Sequence, residues 1–236
     1  IRAAAINSNQ EDIENAAIIA KDKSNQLDLL YIAPERMENA AWISAAREMK
    51  IAMVVIDEAH CISMWGQSFR PNYRRIVNLV KLLPKSFPVL ATTATATPRV
   101  QADIIEQVGS DLLPIRGQLL RSNIKLFVVT VESEDEKFFW LAEYLPKLNK
   151  TGIVYTGTQA NADIFSNWLQ FLNFNSAAYS GRLDAETRMR VENDFIKNKY
   201  DCVVSTNALG MGIDKPDIRF IIHTQMPQSP IHYYQE

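Results

Sequence analysis

Two adjacent carboxylates, Asp57 and Glu58, follow the apolar run Val54-Val55-Ile56 and precede Ala59-His60. A run so apolar reads as a strand buried on both faces. The acids then stand just past its carboxyl end, where open α/β sheets place their ligands. An Asp in that place can hold magnesium, usually through water, because the ion prefers oxygen ligands and keeps part of its hydration. A second carboxylate beside it can take the proton of a water attacking a γ-phosphate. Taken alone, an Asp-Glu pair is more often two solvated acids at a strand end. The apolar strand before this pair and the Ala-His after it favour hydrolytic chemistry.

Other residues of chemical interest lie nearby in the chain. Trp65 and Phe69 offer flat faces to unstacked bases, and Arg70 can pair with phosphate or carboxylate. Read singly, the two aromatics could as well be core residues. The small hydroxyl run Ala91-Thr92-Thr93-Ala94-Thr95-Ala96 can bond catalytic acids or their water, although β-propensity also explains it. Further on, Gly210 and Gly212 permit close backbone approach to a phosphate, and Thr206 can donate to one. The Gly-Met-Gly step could equally be a tight turn. Glu35-Arg36, after Pro34, reads as a surface ion pair or a backbone contact.

These residues need a scaffold of alternating strands and helices. Strands are expected at Asp28–Ala33, Met53–Ile56 and Val89–Thr92, then at Leu126–Val131, Gly152–Tyr155, Ser176–Tyr179, Cys202–Ser205 and Phe220–His223. Helices are expected over Glu11–Lys23, Glu38–Met49, Tyr73–Leu82, Arg99–Val108, Asp135–Leu148, Gln159–Leu172 and Ala185–Lys197. Strand and helix in repetition predict an α/β fold with doubly wound parallel sheets. The polar stretch Arg116–Lys125 follows Pro114 and lacks a period, so two domains are expected, 1–118 and 119–236. Three strands are few for such a sheet, so the first domain is expected to be incomplete at its N-terminus.

Composition narrows the class. The 236 residues are 47% hydrophobic and carry a formal net charge of −2, so any nucleic-acid contact must come from a local patch. The two cysteines, Cys61 and Cys202, stand far apart, which argues against zinc and disulfides and fits a cytoplasmic setting. No apolar run approaches the roughly 18 residues of a membrane span. The start at Ile1, without Met, suggests a trimmed fragment.

Asp57-Glu58-Ala59-His60 resembles the DEAH box of superfamily-2 helicases, and the residues after it narrow the resemblance. Cys61 through Tyr73 is similar to the aromatic-rich loop of the RecQ family, C-I-S-x-W-G-x-x-F-R-P-x-Y, at every fixed position. Leu30 through Arg36 resembles that family's L-Y-I-A-P-E-R, and Ala91–Ala96 its T-A-T motif. Gly152–Thr158 resembles the fourth helicase motif, Val203–Pro216 the pattern V-A-T-x-A-F-G-M-G-I-x-K-P, and Tyr233–Glu236 the start of the sixth motif. The match spans almost the whole chain.

The resemblance implies two RecA-like domains that clamp ATP and drive single-stranded DNA 3′→5′, opening partly duplex DNA in repair or recombination. It implies ATP and Mg2+ as cofactors, no zinc site, no membrane, and a bacterial nucleoid setting in the cytoplasm. Asp57 would serve magnesium, Glu58 the water, and His60 with Thr93 and Thr95 the coupling. Gly212 and Asp214 would face the nucleotide. Trp65, Phe69 and Arg70 would sense DNA, with Arg36, Tyr155 and Thr206 as further strand contacts. One departure stands at Tyr179-Ser180-Gly181-Arg182-Leu183, where the family commonly reads Y-H-A-G-L; Arg182 could supply a phosphate contact there instead.

No G-x-x-x-x-G-K-[ST] loop occurs, and the sixth motif stops at Glu236 before its arginines. By itself the chain is therefore expected not to turn over ATP. Two alternatives stay open: an RNA-directed superfamily-2 helicase, and a non-catalytic nucleic-acid-binding module. Protein partners are not readable.

Overall fold

The computed structural model describes the chain except residues 7–9, 11, 39, 47, 65–69, 85, 110, 118–121, 149–150 and 210–212; for 12, 36, 38, 40, 41 and 235 it describes the backbone alone. The chain divides into two compact units, Ile1–Leu119 and Leu120–Glu236.

In the first unit, β1 (Ala3–Ile6), α1 (Asp12–Lys23) and β2 (Leu29–Ile32) form a parallel crossover. A 3-10 turn over Pro34–Glu38 and α2 (Ala40–Ala46) lead to β3 (Val54–Ile56), which pairs in parallel with β4 (Val89–Ala91). Between them run a second 3-10 turn, Ala59–Ile62, and α3 (Tyr73–Leu82), with α4 (Pro98–Val108) following. Ile56, Ala59, Ile62, Val77, Val80, Val100 and Ile104 close one core beneath the ends of β3 and β4. Thr97 caps α4, its hydroxyl accepting from the Val100 amide at 3.3 Å, with Pro98 in the first turn, where its missing N–H costs nothing.

The second unit holds α5 (Glu134–Leu148), β5 (Gly152–Tyr155), α6 (Gln159–Phe171), β6 (Ser176–Tyr179), α7 (Ala185–Ile196), β7 (Cys202–Ser205), β8 (Phe220–His223) and α8 (Pro230–Gln235). Its strands form a parallel sheet in the order β6-β7-β5-β8. The central strands β5 and β7 are buried throughout. Alternate side chains feed two cores: Val154, Cys202 and Val204 meet Leu141, Phe165 and Leu169 on one face, while Ile153, Tyr155 and Val203 meet Val191 and Phe195 on the other. Helices on both faces explain why these strands read as unbroken apolar runs.

The structure departs from the sequence expectations in three places. β1 was not foreseen, since Ala3-Ala4-Ala5 has no β-branched or aromatic residue before Ile6. The short α8 was not foreseen either. The segment 126–131 was expected as a strand; it is unpaired and solvated, with Phe127 at 81% and Val128 at 96% exposure. Its continuous apolar, β-branched run suits a strand, but among the described residues no neighbouring strand bonds to it.

Candidate nucleotide and nucleic-acid site

Parallel pairing builds the first half of the site. The register sets Ile56 opposite Ala91, so Asp57 and Thr92 emerge side by side. Thr92 donates its backbone N–H to Ile56 O at 2.9 Å and its hydroxyl to Asp57 Oδ1 at 2.8 Å. The same Oδ1 accepts the Glu58 amide at 2.9 Å. Asp57 is thus an exposed carboxylate with one oxygen oriented by two donors. That suits magnesium, which takes one or two protein carboxylates and fills its octahedron with water and phosphate oxygens. Among the described residues no group of three or more His, Cys, Asp or Glu side chains could cage a metal.

Glu58 sits in the left-handed region, φ 49° and ψ 43°, where the chain leaves β3 for the 3-10 turn. The Ala59 amide returns to Thr92 O at 2.9 Å and Tyr73 Oη donates to Asp57 O at 3.2 Å, so backbone bonds hold the bend. His60, 1% exposed, directs Nδ1 to Glu58 Oε2 at 3.1 Å and to Thr93 Oγ1 at 3.1 Å. Thr93 Oγ1 also accepts the Thr95 amide at 3.2 Å. The Thr95 hydroxyl is buried without a hydrogen-bond partner among the described residues. Burial pushes His60 below the ordinary imidazole value, against the opposing pull of Glu58. The ring is therefore neutral near pH 7 and donates one proton.

The structure thus brings Asp57, Glu58, His60, Thr93 and Thr95 together. Three participants were not foreseen. Thr92, not Thr93 or Thr95, bonds Asp57, and only the β3–β4 register shows it. Tyr73 holds the Asp57 carbonyl. Ser63, fully buried, donates to Asp103 of α4 at 2.6 Å and ties the turn after the acids to the helix after the threonines.

Trp65 and Phe69 lie outside the described residues, as does the Arg36 side chain. Arg70, exposed, gives its amide to Cys61 O at 3.1 Å. Glu35 accepts Asn72 Nδ2 at 3.1 Å, and bonds to its own backbone and to Asn72 hold its carboxyl below the usual range. This links the segment before the acids to the end of the aromatic-rich loop.

In the second unit, the carboxyl ends of β5, β7 and β8 and the start of α8 line a cleft of about 130 Å³, with Thr156, Thr206, His223, His232 and Glu236 on its walls. Thr206 is half-buried, its Oγ1 accepting the Ala208 amide at 3.4 Å. Asp214 is exposed, as is Arg182 in the turn between β6 and α7. Gly212 lies outside the described residues.

Tyr155, the last residue of β5, also lines this cleft. It is 4% exposed and stacks on His223 at 5.3 Å, because β5 is a central strand and its last side chain points into the core. Burial, with the Glu236 charge, pushes its hydroxyl up to about 12. His223 Nδ1 meets Glu236 Oε2 at 3.2 Å; burial moves the ring down and the carboxyl up, so the contact is a hydrogen bond more than an ion pair.

The family described as DEAD/DEAH box helicase matches residues 1–104, and the helicase conserved C-terminal domain matches residues 136–236. Fold, strand-end acids and both matches define a DEAD/DEAH box helicase core. The chain is 37% identical to the ATP-dependent DNA helicase RecQ of Bacillus subtilis, covering 100% of this chain and 40% of that one. It is 34% identical to the Haemophilus influenzae protein of the same name, over 100% and 38% of the two chains. A Xenopus laevis relative, RecQ-like DNA helicase BLM, is 34% identical over 100% and 18%. This chain belongs to the RecQ family of DEAD/DEAH box helicases, and it spans less than half the length of these relatives.

Solved structures agree on the fold. Saccharomyces cerevisiae Dbp5 bound to RNA and ADP BeF3 superposes with a TM-score of 0.70 at 17% identity, over 99% of this chain and 59% of that one. Mycobacterium smegmatis helicase Lhr bound to ssDNA and AMP-PNP gives 0.68 at 18%, over 100% and 32%. These neighbours have RecA-like cores, the architecture the family resemblance implied. Among the described residues no helix is long and apolar enough to cross a membrane.

Proposed function

We propose that this chain belongs to the motor of an ATP-dependent DNA helicase that couples ATP hydrolysis to 3′→5′ movement on single-stranded DNA and to duplex opening, in cytoplasmic DNA repair or recombination. The observation that carries the reading is the linked set Asp57–Thr92 and Glu58–His60–Thr93. Magnesium held by Asp57 would neutralise charge on the phosphates and orient them. Glu58 accepts the proton of the attacking water. Through His60, Thr93 and Thr95, the state of that carboxylate reaches the segment after β4. Asp214 and Gly212 are proposed to bind the nucleotide. Trp65, Phe69, Arg70, Arg36, Tyr155, Thr206 and Arg182 are proposed to touch DNA.

The test is Mg2+-dependent ATP hydrolysis by the full-length protein, with and without single-stranded DNA, beside Glu58→Gln. Stimulation by DNA that falls by about 10²–10⁴ in the variant is expected for a lost general base. Greater stimulation by RNA would favour the RNA-directed reading. No hydrolysis in either case would leave a binding module.

A further inference from the structure

Cys61 has no role in the site as described, yet its thiol touches the histidine at the centre of that site. Both side chains lie in the 3-10 turn Ala59–Ile62, at 3% and 1% exposure. Cys61 Sγ stands 3.7 Å from His60 Nε2, on the far side of the ring from Glu58 and Thr93. The turn itself is held by Cys61 N to Glu58 O at 2.9 Å, Ser63 N to His60 O at 3.1 Å and Arg70 N to Cys61 O at 3.1 Å.

A neutral imidazole carries one N–H and one lone pair. Glu58 Oε2 faces Nδ1 at 3.1 Å, and a carboxylate oxygen only accepts, so the proton belongs on Nδ1. The Nε2 lone pair is then a buried acceptor that needs a donor. A thiol is a weak donor, and among the described residues it is the one that meets Nε2. Burial acts on the two groups in opposite senses. It keeps the ring unprotonated and pushes the Cys61 thiol up, so the sulfur retains the hydrogen it gives.

We propose that Cys61 is a positioning residue: its thiol donates to Nε2 of His60 and holds the Nδ1–H tautomer that anchors the Glu58 carboxylate. Without that donor the ring can place its proton on Nε2 and turn a lone pair toward Glu58, which releases the carboxylate. The inference rests on Glu58 as proton acceptor, and its test keeps the two ideas apart.

The experiment uses the full-length protein with ¹⁵N-labelled histidine, the His60 signals being assigned by their loss in His60→Asn. Wild type and Cys61→Ser are expected to show an unprotonated Nε2. Cys61→Ala, and Cys61→Val, which fills the space without a donor, should show a mixture of tautomers. DNA-stimulated kcat should fall about tenfold in both, with KM for ATP within about twofold, and should recover in Cys61→Ser. A protonated Nε2 in the wild type, or an unchanged tautomer in Cys61→Ala and Cys61→Val, would overturn the proposal. So would a changed tautomer with unchanged kcat. Hydrolysis that survives Glu58→Gln would overturn the reading of Glu58 instead, whichever tautomer is observed.

Discussion

Asp57 is oriented by a hydroxyl and a backbone amide, whereas Glu58 meets the His60 imidazole, and single substitutions should separate their proposed roles. Thr92 donates to Asp57 Oδ1. Thr92→Val keeps the shape and the strand but removes the donor. It should lower Mg2+-dependent hydrolysis by the full-length protein about tenfold, roughly 1.4 kcal/mol, and raise the Mg2+ concentration needed. Thr92→Ser should restore both, and a Val variant with unchanged Mg2+ dependence would remove Thr92 from the site. The four-residue signature was legible in the sequence because Asp57 through His60 are contiguous. Thr92 was not, because Ala91–Ala96 offers three hydroxyls and only the register with β3 selects among them. The burial of Tyr155 was hidden for a related reason, since a strand-end aromatic reads the same whether its strand is central or at an edge.

At the scale of elements, the second unit was the more legible. Its four strands, β5 to β8, lie where the apolar runs put them, because helices cover both faces of the sheet and side-chain apolarity tracks burial. Caps sharpen the helix starts. Thr158 accepts the Asn161 amide at 3.1 Å and Asp184 the Thr187 amide at 2.8 Å. The first unit was harder to read, since β3 and β4 span three residues each and β1 is mostly alanine. Leu169, fully buried between α6 and the sheet, offers a direct check of that core. Leu169→Ala should cost about 2–5 kcal/mol, seen as faster amide exchange along β5 and β7 and an earlier urea transition. Full protection in the variant would mean that the sheet does not depend on α6.

For the molecule as a whole, buried imidazoles set an acid limit. Burial holds His60 and His223 below the ordinary 6.5. As pH falls through about 6.5 the unfolded chain takes up protons that these two folded-state imidazoles refuse, so their contribution to stability is constant above that value and declines below it. The loss between about pH 7.5 and about pH 5.5 should be smaller in His223→Gln, read by amide exchange in the second unit. An equal loss in the variant would assign the acid sensitivity elsewhere. A different constraint on stability lies in the bend at Glu58, whose φ of 49° is a conformation that a side chain resists and glycine does not. Glu58→Gly and Glu58→Ala both lose the carboxylate and its contact with His60. The glycine variant should nonetheless be the more stable by about 1 kcal/mol, reversing their usual order, because alanine keeps the strain. On the proposed reading, the proton acceptor thus stands at a position whose backbone conformation favours glycine. A screen for thermostability alone would select against activity here, and sequences drifting free of function would be expected to lose the glutamate first.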